Sequence, residues 1–341
     1  SVSARELRER AATATFHGRA SVIDAHPMYT WPIVESTAVL TRFRDEEFPQ
    51  GRDVAWGGPV APPRLVASSD HPLAAAQLVQ GRRSAQRFNA GFVLARQAFE
   101  RLLKAASCPY SPSASDSGPP GTPLDGEVAT QIHLVLFVHR VDSLEPGIYL
   151  VRRAGEPSDA GLGEPEPGEP EPGEPELGEP ELGKPRLDVS EKPSGLLPCF
   201  EAHFPVRRVH DSSPELELFQ VSPCASRELA RISRLLHCQQ EIAASCCFAV
   251  AMLADVARAA ELCPAAYRDL HREAGRIGHS LYLQAELEGV RGTGIGCFLD
   301  EPVAEFLGLQ NSPYRSIYHF SVGQAQLDPR IETAAVEAED T

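Results

Sequence analysis

Apolar positions along the chain follow a helical period from residue 73 onward. Residues 73–79 and 92–103 carry apolar side chains three and four positions apart, as on one face of a helix. Before them, residues 1–72 mix short apolar clusters with scattered prolines. Prolines interrupt regular pairing, so this composition favours an extended arm or linker with one or two short helices over a compact domain.

Four short apolar runs predict strands. The run at 132–138 is apolar on both faces, which is typical of a central strand. Pro146-Gly147 predicts a turn, after which 148–151 returns as the hairpin partner. The runs at 216–221 and 317–322 also predict strands.

The second half of the chain predicts three helices. Leu229, Ile232, Leu235 and Leu236 follow a helical pattern, with Ser222 or Ser226 as the candidate cap. The pattern continues into 241–262, which is apolar almost all round from 243 to 254, so we expect a buried helix there. The third helix, over 267–288, presents a flat, closely packing face made of Ala274, Gly275 and Gly278.

A low-complexity segment separates the two halves. Residues 163–186 repeat Gly-Glu-Pro-Glu-Pro/Leu every five residues. Prolines remove backbone donors and glutamates repel one another, so we expect a solvated, polyproline-II-like insertion spanning 155–192. An interaction segment is the alternative.

Charge and hydropathy limit the partners. The formal net charge is −15, which argues against nucleic acid or an anionic membrane surface as the main partner. The longest apolar stretch, 242–254, has 13 residues, whereas a membrane span needs roughly 20. No membrane span is therefore expected.

The eight cysteines include no C-x-x-C pair, so no metal site is expected from their spacing. Buried, inert thiols are the preferred interpretation. With no secretory leader visible, this places the protein in the cytoplasm or another reducing, soluble compartment, not secreted. A thiol or metal protein that uses the cysteine-rich segments is the alternative.

Two segments carry candidate binding chemistry. Arg82, Arg83 and Ser84 combine two forked, permanently charged donors with a hydroxyl, which suits a phosphate; a solvated basic turn is the alternative. Residues 292–296 hold three glycines in five positions, which lets a backbone approach a flat ligand closely. A glycine-rich turn between a helix and a strand is the alternative, and the Gly-Lys-Ser/Thr of a phosphate-binding P-loop is missing.

His279, within the third predicted helix, is a candidate catalytic residue because imidazole can shuttle protons near neutral pH. A lone histidine among small apolar residues more often makes a structural hydrogen bond, so both roles stay open.

Taken as a set, five motifs resemble the nitroreductase superfamily, and most closely its SagB-type, azoline-dehydrogenase-like branch. The resemblance covers about residues 75–331 and is strongest to the C-terminal half of members with two such domains in tandem. Residues 16–34 also look like the linker of those proteins. The motifs are Arg82-Arg83-Ser84, Glu145-Pro146-Gly147-Ile148-Tyr149, Glu273-Ala274-Gly275, Gly294-Ile295-Gly296-Cys297-Phe298 and Tyr318-His319-Phe320-Ser321-Val322-Gly323.

The resemblance implies a fold and an assembly. It implies an α/β (α+β) fold, with a mainly antiparallel, mixed sheet flanked by helices, over residues 73–331, followed by a tail at 332–341. The helices at 241–262 and 267–288 would lie at a two-fold interface. The partner would be a second copy or a related nitroreductase-like half, with the 1–72 arm lying across it.

The resemblance also implies FMN as cofactor. Arg82, Arg83 and Ser84 correspond to positions that hold the FMN phosphate and ribityl chain, and Arg330 to a further phosphate contact. Gly294, Ile295 and Gly296 correspond to backbone positions along the isoalloxazine. The implied activity is two-electron redox of a small organic substrate, with NAD(P)H as a candidate donor.

Two positions depart from the family pattern. Gln86 stands where relatives carry Arg or Lys, a cation that stabilises reduced flavin, and it offers only a neutral hydrogen bond. Residues 262–266 lack the Lys-Tyr pair of azoline-oxidising relatives. A non-catalytic structural subunit of a larger assembly is therefore the alternative to the enzyme.

Overall fold

The computed structural model describes residues 4–15, 31–41, 75–107, 131–153, 195–210, 216–262, 264 and 266–328. The predicted insertion at 155–192 and the tail at 332–341 lie outside these residues. The arm and domain boundaries predicted at 72 and 73 stay predictions.

The described residues form a sheet flanked by helices. The helices are α1 (Ala4–Thr13), α2 (Pro32–Leu40), α3 (Ala75–Gly81), α4 (Arg96–Ser107), α5 (Leu196–Glu201), α6 (Ser226–Leu236), α7 (Glu241–Ser245), α8 (Val256–Leu262), α9 (Ala266–Leu287) and α10 (Asp300–Phe306). The strands are β1 (His133–Val138), β2 (Gly147–Arg152), β3 (Arg207–Arg208), β4 (Glu217–Pro223), β5 (Phe248–Asp255), β6 (Arg291–Ile295) and β7 (Tyr314–Gly323).

These strands form one seven-stranded sheet in the order β3-β4-β2-β1-β5-β7-β6. Every strand pairing in it is antiparallel, and β1 lies between β2 and β5, with Leu136 opposite both Tyr149 and Val250. The predicted fold class, a mainly antiparallel sheet flanked by helices, is confirmed. So are the predicted strands at 132–138, 148–151, 216–221 and 317–322.

Both faces of the sheet are buried because side chains alternate along each strand. Leu134 and Leu136 of β1 pack on one face, in the cluster that contains α4 and α9 residues. Val135 and Phe137 pack on the other face, against α5, α6 and α10.

The helix predicted over 241–262 is wrong. The chain there forms the short helix α7, the central strand β5 and the short helix α8. Seven of the eight β5 residues are buried, since β5 lies between β1 and β7 and is covered on both faces. An apolar run that is buried on both sides shows no period-2 alternation, so the pattern could not separate a strand from a helix.

Two other details differ from expectation. The residue before α6 is Ala225, and it makes no side-chain cap, so neither Ser222 nor Ser226 caps the helix. The predicted third helix is confirmed as α9, with Ala274 and Gly278 buried and Gly275 exposed. In the part of the chain that the structure describes, no helix is long and apolar enough to cross a membrane.

A buried ion pair ties α9 to the sheet. Arg153, directly after β2, donates from Nη1 to Glu273 Oε1 of α9 at 2.6 Å and to the Ile132 carbonyl at 2.9 Å. Only 2% of the Arg153 side chain is exposed, and 18% of the Glu273 side chain. The pair fixes the position of α9, the helix that contributes to the candidate site.

Candidate functional site

The arginine motif at 82–84 and the glycine-rich segment at 292–296 meet at the outer edge of β6. The Ala85 amide donates to the Gly292 carbonyl at 3.1 Å, and Thr293 Oγ1 donates to the Ala85 carbonyl at 2.6 Å. Residues 82–85 thereby run beside the free edge of the sheet. The structure thus brings together segments that lie about two hundred residues apart in sequence.

Tyr282, on α9, joins these two segments. Its hydroxyl accepts a hydrogen bond from the Gly294 amide at 2.8 Å and lies 3.0 Å from Ser84 Oγ. The Arg82 guanidinium lies 4.5 Å from the centre of the Tyr282 ring, a cation–π geometry. Sequence reasoning missed Tyr282, because within a long helix nothing distinguishes it from a packing residue.

The arginines differ in how their donors are used. Arg83 Nη1 donates to the Gln80 and Arg82 carbonyls at 2.7 and 2.8 Å, which braces the turn after α3. Its amide donates to Glu286 Oε1 at 3.1 Å. Arg82, half-buried over Tyr282, is better placed than Arg83 to meet a ligand beside the exposed Ser84.

The local charge favours an anion. This edge includes three arginines, Arg82, Arg83 and Arg291, and the carboxylate of Glu286, whose Oε1 lies 3.4 Å from Arg291 Nε and accepts from the Arg83 amide. The excess of cations over carboxylates at this edge is the opposite of the chain's overall charge of −15. A phosphate or carboxylate group would therefore be attracted here.

The glycines of β6 are not equivalent. A Cβ on Gly292 would collide with the Phe320 ring, and one on Gly294 would collide with the Tyr318 hydroxyl. These two glycines are thus required by the protein's own packing. Gly296 is exposed, and a Cβ there would have nothing within 4 Å, so it is the glycine that leaves backbone open to a ligand.

The remaining predicted residues are more dispersed. Ile295 is only 2% exposed, which leaves just its main chain for a ligand. Gln86 is exposed beside Ala85, and His279 is exposed on α9. Arg330 lies outside the described residues.

A second polar cluster, which sequence reasoning missed, lies on the opposite face of the sheet. His237 Nδ1 donates to the Ser233 carbonyl at 2.6 Å, so its Nε2 must accept; His319 Nδ1 donates to it at 2.8 Å. Ser233 Oγ lies 3.2 Å from His139 Nε2. All three histidines are buried.

Burial keeps these histidines neutral. Desolvation lowers the pKa of His237 to about 4 and, with the nearby Arg140 charge, that of His139 to about 3. Desolvation and then His237 lower the pKa of His319 as well. The cluster is a neutral hydrogen-bonded network at physiological pH.

The cysteines correct one prediction. Cys238 and Cys297 form a disulfide, so the interpretation of all the cysteines as inert thiols is wrong for this pair. Their separation of 59 residues gave no sequence signal. Cys246 and Cys247 are buried free thiols, and desolvation raises the pKa of both.

FMN can be tested against this edge of the sheet. Arg82, the exposed Ser84 hydroxyl and the cationic surroundings fit a phosphate and a polar ribityl chain. Tyr318 and Phe320 cover the Gly294 and Gly292 faces, so a flavin ring would fit only at the open Gly296 end. The residues present fit FMN with that restriction.

No protein-family model and no curated protein sequence matches the chain. Among solved structures it is similar to a protein assigned as a nitroreductase from Anabaena variabilis, with 20% identity, 73% of this chain covered and a TM-score of 0.46. The chain spans 37% of that protein's length.

For two further similar structures, the alignment covers most of this chain and most of the other protein. The Escherichia coli microcin synthetase McbBCD complex has 14% identity over 93% of this chain and 86% of that one, with a TM-score of 0.44. An FMN-dependent nitroreductase from Clostridium difficile has 10% identity, 76% and 91% coverage and a TM-score of 0.37. Two of these three solved structures are nitroreductases by name.

Proposed function

We propose that this chain is an FMN-binding oxidoreductase subunit that carries out two-electron redox of a small organic substrate, with NAD(P)H as a candidate donor. The observation that carries the proposal is the meeting of Arg82, Ser84 and Tyr282 with the glycine-rich edge of β6. Bound FMN would supply hydride transfer, so no side-chain nucleophile is needed.

The chain's own residues would bind and orient the cofactor. Arg82 would pair with the phosphate, and Ser84 would donate its hydroxyl proton to a phosphate or ribityl oxygen. Tyr282 holds both segments in register through Gly294. The open main chain at Gly296 would lie along the ring, and Gln86 would donate a neutral hydrogen bond from the same turn.

The Arg82 role predicts a loss of affinity. Replacing Arg82 with alanine should weaken FMN binding by about 1.5–3 kcal/mol, the range for a charge-assisted hydrogen bond. The measurement is a fluorescence titration of the purified protein with FMN.

The exposed Arg87, five positions along, serves as the matched control. Arg87→Ala removes the same charge from the same segment and should leave the dissociation constant close to that of the unmodified chain. Equal affinities for both variants would remove Arg82 from the site.

A non-catalytic subunit is the second candidate, and a specific observation favours it. Tyr318 and Phe320 occupy the space over two of the three glycines, so less backbone is open to a flavin ring. Gln86 also provides no cation for the reduced flavin. Under this alternative the fold would persist, and FMN added to the protein would not be reduced by NAD(P)H.

Pairing with a second copy or a related half is part of the proposal. The internal strand β5 cannot serve as the interface helix expected at 241–262, so α9 and the N-terminal arm remain of the expected interface, and the structure describes α1 and α2 of that arm. Large apolar residues on and beside α2 are at least half exposed, namely Trp31, Ile33, Val34, Val39 and Leu40. Arg268 of α9 holds α2 through Thr41 Oγ1 and the Ala38 carbonyl, both at 2.8 Å. A partner that covers α2 would bury this patch.

The assembly proposal predicts a dimeric mass by light scattering, with over ~2,000 Å² buried as in obligate interfaces. Val34→Glu with Leu40→Glu should shift the mass toward the monomer, because the two charges would be buried in the interface. Val79→Glu, at an exposed valine of α3, should leave the mass unchanged. A monomeric mass for the unmodified chain would contradict self-pairing.

A further inference from the structure

A disulfide fastens the end of the glycine-rich strand to α6. Cys238 directly follows the α6 C-cap, and Cys297 follows Gly296; their Cα atoms are 5.9 Å apart. Gln240 Nε2 donates to the Cys297 carbonyl at 3.0 Å, and the Leu299 amide donates to the Leu236 carbonyl at 2.9 Å. We call residues 296–299 the clasp segment.

The turn that carries Cys238 is in an unfavourable conformation. Cys238 and Gln239 have φ values of 53° and 60°, in the left-handed region that non-glycine residues seldom adopt. Two consecutive residues in this region persist only where the surrounding structure holds them. The link to Cys297 is the covalent part of that restraint, so opening it would let the turn relax.

The clasp segment covers a buried histidine. The Phe298 ring lies parallel to the His319 ring, with an interplanar angle of 3° and 4.3 Å between centroids. His319 gives its Nδ1 proton to His237, so its Nε2 carries a free electron pair. That Nε2 atom is buried and has no hydrogen-bond partner in the part of the chain that the structure describes. Moving Phe298 would open it to solvent.

The four other cysteines within the described residues form no disulfide, so Cys238–Cys297 is an isolated link in that part of the chain. Cys199, Cys246 and Cys247 are buried free thiols. Cys224 is only half-buried and is also free. Disulfides persist as structural links in oxidising compartments, whereas in reducing compartments they are usually transient, catalytic or redox-sensing.

We propose that Cys238–Cys297 is a thiol–disulfide exchange site whose reduction by a dithiol releases the clasp segment and uncovers His319. Cys297 is exposed and Cys238 half-buried, so a reductant can approach the Cys297 sulfur from solvent. The test of this inference needs no bound FMN, because it reads the two thiols and His319; the clasp segment does include Gly296, where the proposed flavin ring would lie.

The exchange balances as a two-electron reaction. A thiolate of the dithiol attacks Cys297 Sγ, the S–S bond breaks, and Cys238 leaves as a thiolate that takes up a proton. The second thiol of the reductant then attacks its own mixed-disulfide sulfur and releases Cys297 as a thiol. The dithiol is oxidised to a disulfide, and two electrons and two protons pass to the cysteine pair.

The test counts reactive thiols in the folded, full-length chain with a maleimide and mass spectrometry, before and after dithiothreitol. The double variant Cys238→Ser with Cys297→Ser gives the background of the other cysteines. The oxidised chain should label like this variant, and the reduced chain should gain labels at Cys238 and Cys297 by peptide mapping. Oxidised glutathione should reverse the gain. Cys224→Ser is the matched control and should keep the whole response.

A second measurement reports whether His319 becomes accessible to solvent. Diethylpyrocarbonate modification of His319 should become about tenfold faster after reduction, as expected when a local opening becomes the favoured state. This comparison uses the unmodified chain in two redox states, so it stands even if the double variant fails to fold. A disulfide that resists dithiothreitol until the chain unfolds, maleimide labels on Cys238 and Cys297 in the untreated protein, or an unchanged His319 rate would each overturn the proposal.

Discussion

Replacing Glu273 with alanine should lower the free energy of unfolding by about 3–5 kcal/mol, the range for breaking a buried ion pair. Arg153 would keep its charge at a position where 2% of its side chain is exposed, and it would retain the hydrogen bond to the Ile132 carbonyl, which carries no compensating charge. Urea denaturation at neutral pH measures the change.

An exposed ion pair of the same type is the control. Glu228 and Arg231 of α6 lie 2.7 Å apart with at least half of each side chain exposed, so Glu228→Ala should change the stability little. A Glu273 variant as stable as the Glu228 variant would show that the pair does not anchor α9. Because α9 carries Tyr282, the Glu273 variant should also bind FMN more weakly.

The stability of the chain should fall steeply between pH 6.5 and pH 5. His139, His237 and His319 have a lower pKa in the folded chain than in the unfolded one, so the unfolded state binds more protons in this window. Their contribution is fully present above the unfolded pKa and is lost as the pH falls toward the folded values. Each neutral histidine should contribute a slope of about 1.4 kcal/mol per pH unit in the lower part of the window, and the three together a slope of about 4 kcal/mol per pH unit.

The measurement is the free energy of unfolding at several pH values under conditions that keep the disulfide oxidised. His319→Gln removes one titrating group from the network and should reduce the slope by about a third. His279→Gln alters an exposed histidine and should leave the slope as it is. A pH-independent stability above pH 5 would mean that the buried histidines are protonated in the folded state.

The sheet could be predicted from the sequence where flanking turns and β-branched residues marked its strands. The run at 132–138 and the Pro146-Gly147 turn gave β1 and β2 with the correct pairing. The run at 248–255 failed because alanine, methionine and leucine suit a helix as well as a strand, and burial on both faces removed the alternation.

The candidate site could be predicted only in part, for a geometric reason. Arg82 and Ser84 were recognised by residue type, and the glycines by their density. The pairing of β6 with β7 places Tyr318 at the site, and the position of α9 places Tyr282 there. No local sequence pattern predicts either placement. Non-local contacts likewise created the His237–His319 pair, whose members are 82 residues apart.

A glycine-rich motif can be explained by packing within the chain instead of by ligand binding. Gly292 and Gly294 make room for the rings of Phe320 and Tyr318, and Gly147 approaches the Ser222 carbonyl too closely for any Cβ. Each of these glycines is explained by packing within the chain. Only Gly296 remains available for a ligand, which narrows the proposed flavin site to the end of β6.

The most direct test of the central claim is the absorbance spectrum of the purified chain after incubation with FMN and removal of the unbound cofactor. We expect retained bands at ~370 and ~450 nm, which NAD(P)H or dithionite should bleach as the bound flavin is reduced. About one FMN per chain should be released on denaturation. A colourless protein that retains no FMN, with folding confirmed by circular dichroism, would contradict the flavoprotein proposal and leave the structural-subunit alternative.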